Sequence, residues 1–201
     1  MLTLPAAIAL GVLATPILSA LFERGAFGST DTAATAAALA AYAAGLPAFV
    51  LIKVLAPAFF ARHDTATPVK VAVAAMGVNL CLTLVLMRFL AHVGIALATT
   101  VAGWLNALVL LVLLIRGGHF GFDRRAQRNL PRIAAAALAM GVVLAAMRIT
   151  LAPMLVGHAM AQLGALAVLV CAGLATFSAL ALGLGVADWR GLIGRLRRQP
   201  A

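Results

Sequence analysis

The sequence predicts an all-α protein, a polytopic transmembrane helix bundle of about six spans. Three observations carry that reading. Of the 201 residues, 65% are hydrophobic and only 10% charged, whereas soluble domains are about half apolar and about a quarter charged. The apolar residues fall in runs long enough to cross a hydrocarbon core of about 30 Å, which takes about 20 residues of helix. Most of these runs also lack the polar face that a helix in water keeps.

The runs follow in order. The first covers residues 4–22. Its start, MLTLPAAIAL, has no basic region of the kind a cleavable signal needs, so it reads as a span. Gly25, Gly28, Ser29 and Asp31 then mark a loop. The second run, 33–61, is long and carries Pro47 and Pro57, so it is expected to tilt or kink. A polar turn follows, and Pro68, near a favoured first-turn position, opens the third run at 69–90. The fourth is 93–115. Gly117, Gly118 and Gly121 open the longest loop. The fifth and sixth runs are 130–149 and 160–186. No linker separates them, so residues 1–201 are read as one membrane domain, with 187–201 as a basic cytoplasmic tail.

The net charge is +10, from 15 Lys and Arg against five acids. In a soluble chain that would point to nucleic acid. Here the bases lie between apolar runs or near their ends, which suits loops beside anionic lipid headgroups, so no nucleic-acid partner is expected. Taken in alternate loops, eleven bases fall on one side. Three, Arg24, Arg88 and Arg148, fall on the other. By the positive-inside rule both termini are expected in the cytoplasm. Cys81 and Cys171 lie within apolar runs, without metal or redox spacing. No catalytic motif or paired carboxylate is present, so no enzyme activity, cofactor or metal is expected.

Lys53 is the one base lying more than two residues from the end of its run. It lies about eight residues, or about 12 Å, from the end of the second span. Two readings stand for it. Its stem can snorkel toward the headgroups, or its ammonium faces a polar cavity that receives an anion. Pro57, four residues on, cannot donate to the Lys53 carbonyl. Asn79 and Thr83 share a helix face at i, i+4, and Thr99, Thr100 and Asn106 lie in the next span. Such groups hold helices together, or supply oxygen ligands to a small cation. Gly103 to Ala107 and Gly141 to Ala145 have the small-xxx-small spacing of close helix contacts.

The stretch KVLAPAFFARHDTATPVK, residues 53–70, resembles the KVLAPGFYARxDxxTPVK signature of the lipid II flippase family (MurJ, or MviN). LPAAIALGVLATPILSALFERGAF (4–27) and AYAAGLPAFVLIKVL (41–55) resemble the same family's preceding segments. Beyond residue 70 the resemblance is in span order and topology. It implies the C-terminal part of a multidrug/oligosaccharidyl-lipid/polysaccharide exporter fold, the last six of fourteen helices. It also implies a bacterial cytoplasmic-membrane protein that moves lipid-linked peptidoglycan precursor from the inner to the outer leaflet. Its partners would be that lipid, the surrounding membrane lipids, and an N-terminal lobe not contained in this chain. The chain is therefore expected not to flip lipid alone. Lys53, Pro57, Arg62 and Lys70 would line the cavity and its mouth, with Arg24 at the periplasmic end. The last two helices would line a groove for the lipid tail. Ala58 and Phe60 replace the signature's glycine and tyrosine. Thr83 stands where some members carry an acid, which bears on the candidate ion site of Asn79, Thr83 and Thr99. Two other classes are compatible with these features. One is another polysaccharide-lipid exporter of the same superfamily. The other is a membrane scaffold or partner subunit that pairs with a separate N-terminal lobe.

Overall fold

A computed structural model of the chain describes residues 2–118, 124–155 and 159–185. These residues form an all-α bundle, with no strand among them. The elements are α1 (Thr3–Phe22), α2 (Ser29–Phe60), α3 (Ala66–Arg116), α4 (Arg124–Thr150), the single turn α5 (Ala152–Leu155) and α6 (Ala159–Gly183). Among the described residues, five helices are long and apolar enough to cross a membrane. The basic tail 187–201 lies outside the described residues.

α2 begins at Ser29, before the apolar run itself. Ser29 and Asp31, expected in the loop, form its first turn. The reason is local: Asp31 Oδ2 accepts the Gly28 N–H at 3.1 Å, and the Thr32 hydroxyl donates to the Gly28 carbonyl at 3.1 Å. These bonds tie the loop end to the first turn, where helical N–H groups otherwise lack partners. The helix then continues through both Pro47 and Pro57 to Phe60.

α3 is 51 residues long, but its backbone breaks at Ala91, with φ 47° and ψ −129°. There the chain folds back on itself. A Cβ placed on Gly94 would lie 2.5 Å from both the carbonyl carbon and the oxygen of Leu86. In a straight helix these residues would be about 12 Å apart. Further along, Lys70 to Ala75 and Leu105 to Val109 wall a common cleft. The two arms, residues 66–90 and 92–116, thus run antiparallel, with paired positions summing to about 180.

α1 is the central helix. It packs on α2 and also on α4 and α6, while α3 packs on α2. Leu13, Met140, Leu144 and Leu169 form the core of the α1–α4–α6 side. Leu55, Phe59, Leu110 and Leu114 form that of the α2–α3 side. Many interior contacts are small: Ala48, Ala96, Ala98, Ala107 and Ala137 are fully enclosed. Large apolar residues such as Met76, Leu80 and Val142 face outward. That distribution suits a bilayer, where burying apolar surface between helices gains little and close backbone approach gains more.

Two glycines show the close approach directly. On Gly103 a Cβ would lie 2.8 Å from the Phe49 ring, and on Gly45 2.9 Å from the Thr100 hydroxyl. Thr100 donates to the Ala41 carbonyl at 2.7 Å, and Trp104 Nε1 to the Ala44 carbonyl at 3.0 Å. Thr100 and Gly103, from the sequence-level contact set, therefore join α2 to the second arm of α3.

Candidate functional site

Three groups of sequence-predicted residues fall at three places. The first is the outer face of α2. Val50, Lys53, Pro57 and Phe60 are exposed there, on one stripe at helical spacing. Leu55 and Phe59 point the opposite way, into the core with Leu110 and Leu114. Lys53 is therefore exposed on the side of α2 away from α3, while nearer the start of α2 Ala36, Leu39 and Ala40 pack on α1. Pro57 shares that face, one turn along.

The second place is the turn between α2 and α3. Its backbone makes two nested bonds, Asp64 N–H to Phe59 O at 3.1 Å and His63 N–H to Phe60 O at 3.0 Å. This is a Schellman ending, with His63 at φ 59° in the position glycine usually takes. Histidine is among the residues enriched in that left-handed region. Asp64 then starts the next helix. The assigned N-cap, Thr65, makes no side-chain bond, and Asp64 Oδ1 accepts the Thr67 N–H at 3.0 Å instead. Bonds from the Thr67 side chain and backbone hold the Asp64 carboxyl below its ordinary range. The Ala66 N–H and the Arg62 charge add to this, and partial desolvation opposes it. Arg62 and Lys70 are both exposed around this turn. Lys70 also borders the cleft of about 230 Å³ between the arms of α3, together with Asn106. The Asn106 Oδ1 atom is buried without a hydrogen-bond partner.

The third place is the pair of arms of α3. The Thr83 hydroxyl meets Asn79 Oδ1 at 3.4 Å, so these two are together. By the register of the hairpin, Thr99 lies at the same depth on the facing arm. Its hydroxyl donates to the Ile95 carbonyl in its own helix at 2.9 Å. Both threonine hydroxyl protons are thus engaged within their own arms. Among the described residues no three His, Cys, Asp or Glu side chains cluster as a metal site.

Arg24 stands apart from all of these. Its Nη2 donates to the Ala20 carbonyl at 3.2 Å and closes the end of α1.

On the other flank, α1, α4 and α6 enclose a cleft of about 290 Å³. Pro5, Ala9, Leu13, Leu144, Gly173 and Phe177 are among its walls, and every lining residue is apolar. The cleft between the last two long helices is therefore shared with α1. Nearby, Arg148 Nη1 donates to the Val12 carbonyl at 3.2 Å. Val12 lies four residues before Pro16, inside α1. Proline has no N–H to give that carbonyl, so Arg148 supplies the missing donor.

The family description "Lipid II flippase MurJ" matches residues 1–165. The chain belongs to this family. Among the MurJ relatives, the probable lipid II flippase of Rhizobium tropici is 39% identical over 199 residues, covering 98% of this chain and 37% of the relative. That of Rhizobium meliloti (strain 1021) is 45% identical over 193 residues, 93% of this chain and 35% of the relative. The lipid II flippase of Burkholderia cenocepacia is 38% identical over 120 residues, 60% of this chain and 23% of the relative. The chain thus spans about a third of the length of the two Rhizobium relatives.

Two features escaped sequence reasoning. One is the Pro16–Val12–Arg148 arrangement. Its signal was present, a proline inside a span and an arginine near the end of another, but nothing in the sequence pairs α1 with α4. The other is the αL ending at His63, which reads as an ordinary loop residue without a glycine to mark it.

Proposed function

We propose that this chain is a lobe of a lipid II flippase. It would move lipid-linked peptidoglycan precursor from the inner to the outer leaflet of the bacterial cytoplasmic membrane, by alternating access against an N-terminal lobe. Family membership supports the substrate class. The observation that carries the reading is Lys53, held on an exposed stripe of α2 at the head of the segment that bears the family signature. An ammonium within the hydrocarbon depth is costly against lipid and useful in a polar cavity. There it attracts the diphosphate of the incoming lipid. Arg62 and Lys70 add positive field at the mouth, and the structured turn between them keeps both charges near the ends of α2 and α3. The apolar cleft between α1, α4 and α6 is the right kind of surface for the lipid tail.

The fold-back at Ala91 supports six crossings: α1, α2, the two arms of α3, α4 and α6. An even number puts both ends of the chain on one side, and the excess of bases makes that side the cytoplasm. Asn79, Thr83 and Thr99 then serve local bonds rather than ion coupling: Thr83 bonds Asn79 and Thr99 bonds Ile95, each within its own arm, and no carboxylate accompanies them.

The test is a chimera. This chain replaces the matched segment of the Rhizobium meliloti relative, and the product is expressed in cells depleted of their own flippase. The chimera is expected to sustain growth and lipid transport, and Lys53→Ala in it to impair both. A chimera that inserts at normal levels yet remains inert would overturn the flippase reading. Unchanged transport with Lys53→Ala would overturn the cavity role of Lys53.

A further inference from the structure

Lys53 has a companion on α2. Tyr42 lies eleven residues earlier. At 3.6 residues per turn the two side chains leave the helix within about 20° of each other, about 16 Å apart along its axis. Tyr42 is 41% exposed. On the opposite side of the same turn, the Ala41 and Ala44 carbonyls receive Thr100 and Trp104 of α3. Tyr42 thus continues the stripe of Val50, Lys53, Pro57 and Phe60.

Its depth makes the exposure informative. Tyr42 is about 20 Å from the start of α2 at Ser29 and about 27 Å from its end at Phe60. Tyrosines in membrane helices gather at the interfaces, where the ring is apolar and the hydroxyl wet. At this depth no water is available on a lipid-facing surface, and an unpaired hydroxyl there is costly. Among the described residues, no group accepts a hydrogen bond from the Tyr42 phenol. A lysine and a tyrosine on one face of one helix, both away from its ends, mark that face as the wall of a polar path.

We propose that Tyr42 is a second substrate contact on this path, at mid-membrane depth. Its phenol donates a hydrogen bond to an oxygen of the polar headgroup of a phosphate-linked lipid after that headgroup has passed Lys53. A neutral donor suits that position. It satisfies an oxygen in transit without the strong hold that a second fixed cation would exert. The inference rests on the transport reading given above.

The experiment uses the chimera, with Cys81 and Cys171 replaced by serine, since both are exposed. Single cysteines are placed as Y42C, K53C and V142C. Val142 is 70% exposed on α4 and serves as the lipid-facing control. Each variant is treated with a membrane-impermeant thiol reagent, and Y42F is assayed for transport. Reaction of Y42C and K53C but not V142C, with a loss of about tenfold in transport for Y42F, is the expected result. That loss is the scale of one hydrogen bond to an ionised acceptor. If K53C reacts and Y42C does not, the Tyr42 contact is wrong while the transport reading stands. If neither reacts, the α2 face does not line the path, and the Tyr42 contact falls together with the cavity role of Lys53, while the chimera's own transport decides the transport reading. If Y42C reacts but Y42F transports like the parent, Tyr42 lines the path without bonding the substrate, and the proposed contact is refuted.

Discussion

Replacing Arg148 by leucine removes the donor that reaches the Val12 carbonyl, and replacing Pro16 by alanine creates a new one. The two changes should therefore not be independent. In the parent chain, Pro16 leaves the Val12 carbonyl without its helical partner, and Arg148 Nη1 supplies a bond at 3.2 Å. Bonds to charged groups contribute roughly 1.5–3 kcal/mol in soluble proteins, and side-chain bonds in membrane helices average about 0.6 kcal/mol. The distance is long and the site is at the exposed edge of the bundle, so about 1 kcal/mol is expected for Arg148→Leu. With Pro16→Ala in place, the backbone N–H gained at that position satisfies Val12. The same Arg148→Leu change should then cost nothing, or gain, because it removes a charge from a depth about 15 Å short of the end of α1. The assay is a double-mutant cycle by reversible unfolding in mixed micelles, followed by circular dichroism. A coupling of about 1 kcal/mol is expected. Additivity within about 0.3–0.5 kcal/mol, the range seen for independent sites, would refute the pairing of Arg148 with the proline-orphaned carbonyl.

Three further outcomes follow from the geometry. Gly94→Ala should lower stability by more than about 2 kcal/mol, the scale of overpacking against atoms that cannot rotate away, because its Cβ would meet the Leu86 backbone at 2.5 Å; thermal unfolding in detergent measures this. Thr100→Val should cost about 1 kcal/mol in the same assay, while Thr99→Val should cost little, since Thr100 bonds across to Ala41 and Thr99 only to its own helix. The Asp64 cap should be pH-dependent: its carboxyl titrates below its unfolded value in the fold, so its stabilisation is fully present above about pH 4, the ordinary carboxylate range, and is lost as pH falls through the lower folded value. The protection factor of the Thr67 amide, its exchange rate relative to the intrinsic rate at the same pH, should then be constant near neutrality and fall in acid, and Asp64→Ala should remove that dependence.

Much of this fold was legible because a bilayer imposes a length on any helix that crosses it. Runs of 20 or so apolar residues separated by bases leave few alternatives, and the breaks near Arg24, Arg62 and Arg116 fall where polar residues interrupt the pattern. The sequence separates the runs 69–90 and 93–115, but how the chain turns between them, at Ala91, was harder to read. No glycine, proline or asparagine stands at the turn itself; alanine adopts the left-handed φ there, and the enabling glycine is three residues on, at a contact rather than at the bend. The candidate site was legible as a list of residues but not as an arrangement. Hydrophobic periodicity cannot orient a helix that is apolar on every side, so the direction of Lys53 came only from seeing which face of α2 meets α3. Likewise Asn79 and Thr83 were paired by spacing alone, since i, i+4 contacts are local, whereas the facing position of Thr99 needed the hairpin register.

That hairpin also bears on how the chain enters the membrane. Between the paired positions Leu86 and Gly94 lie only seven residues, and of their side chains only Arg88 and His92 carry strongly polar groups. A connection so short cannot be carried across as a separate hydrophilic loop after the first arm has settled. The two arms are therefore expected to enter the bilayer as one hairpin, their backbone groups already paired within each helix. Insertion of α3 is then a single event, and a lesion at the bend would be felt as a failure of biogenesis before it was felt as a failure of transport.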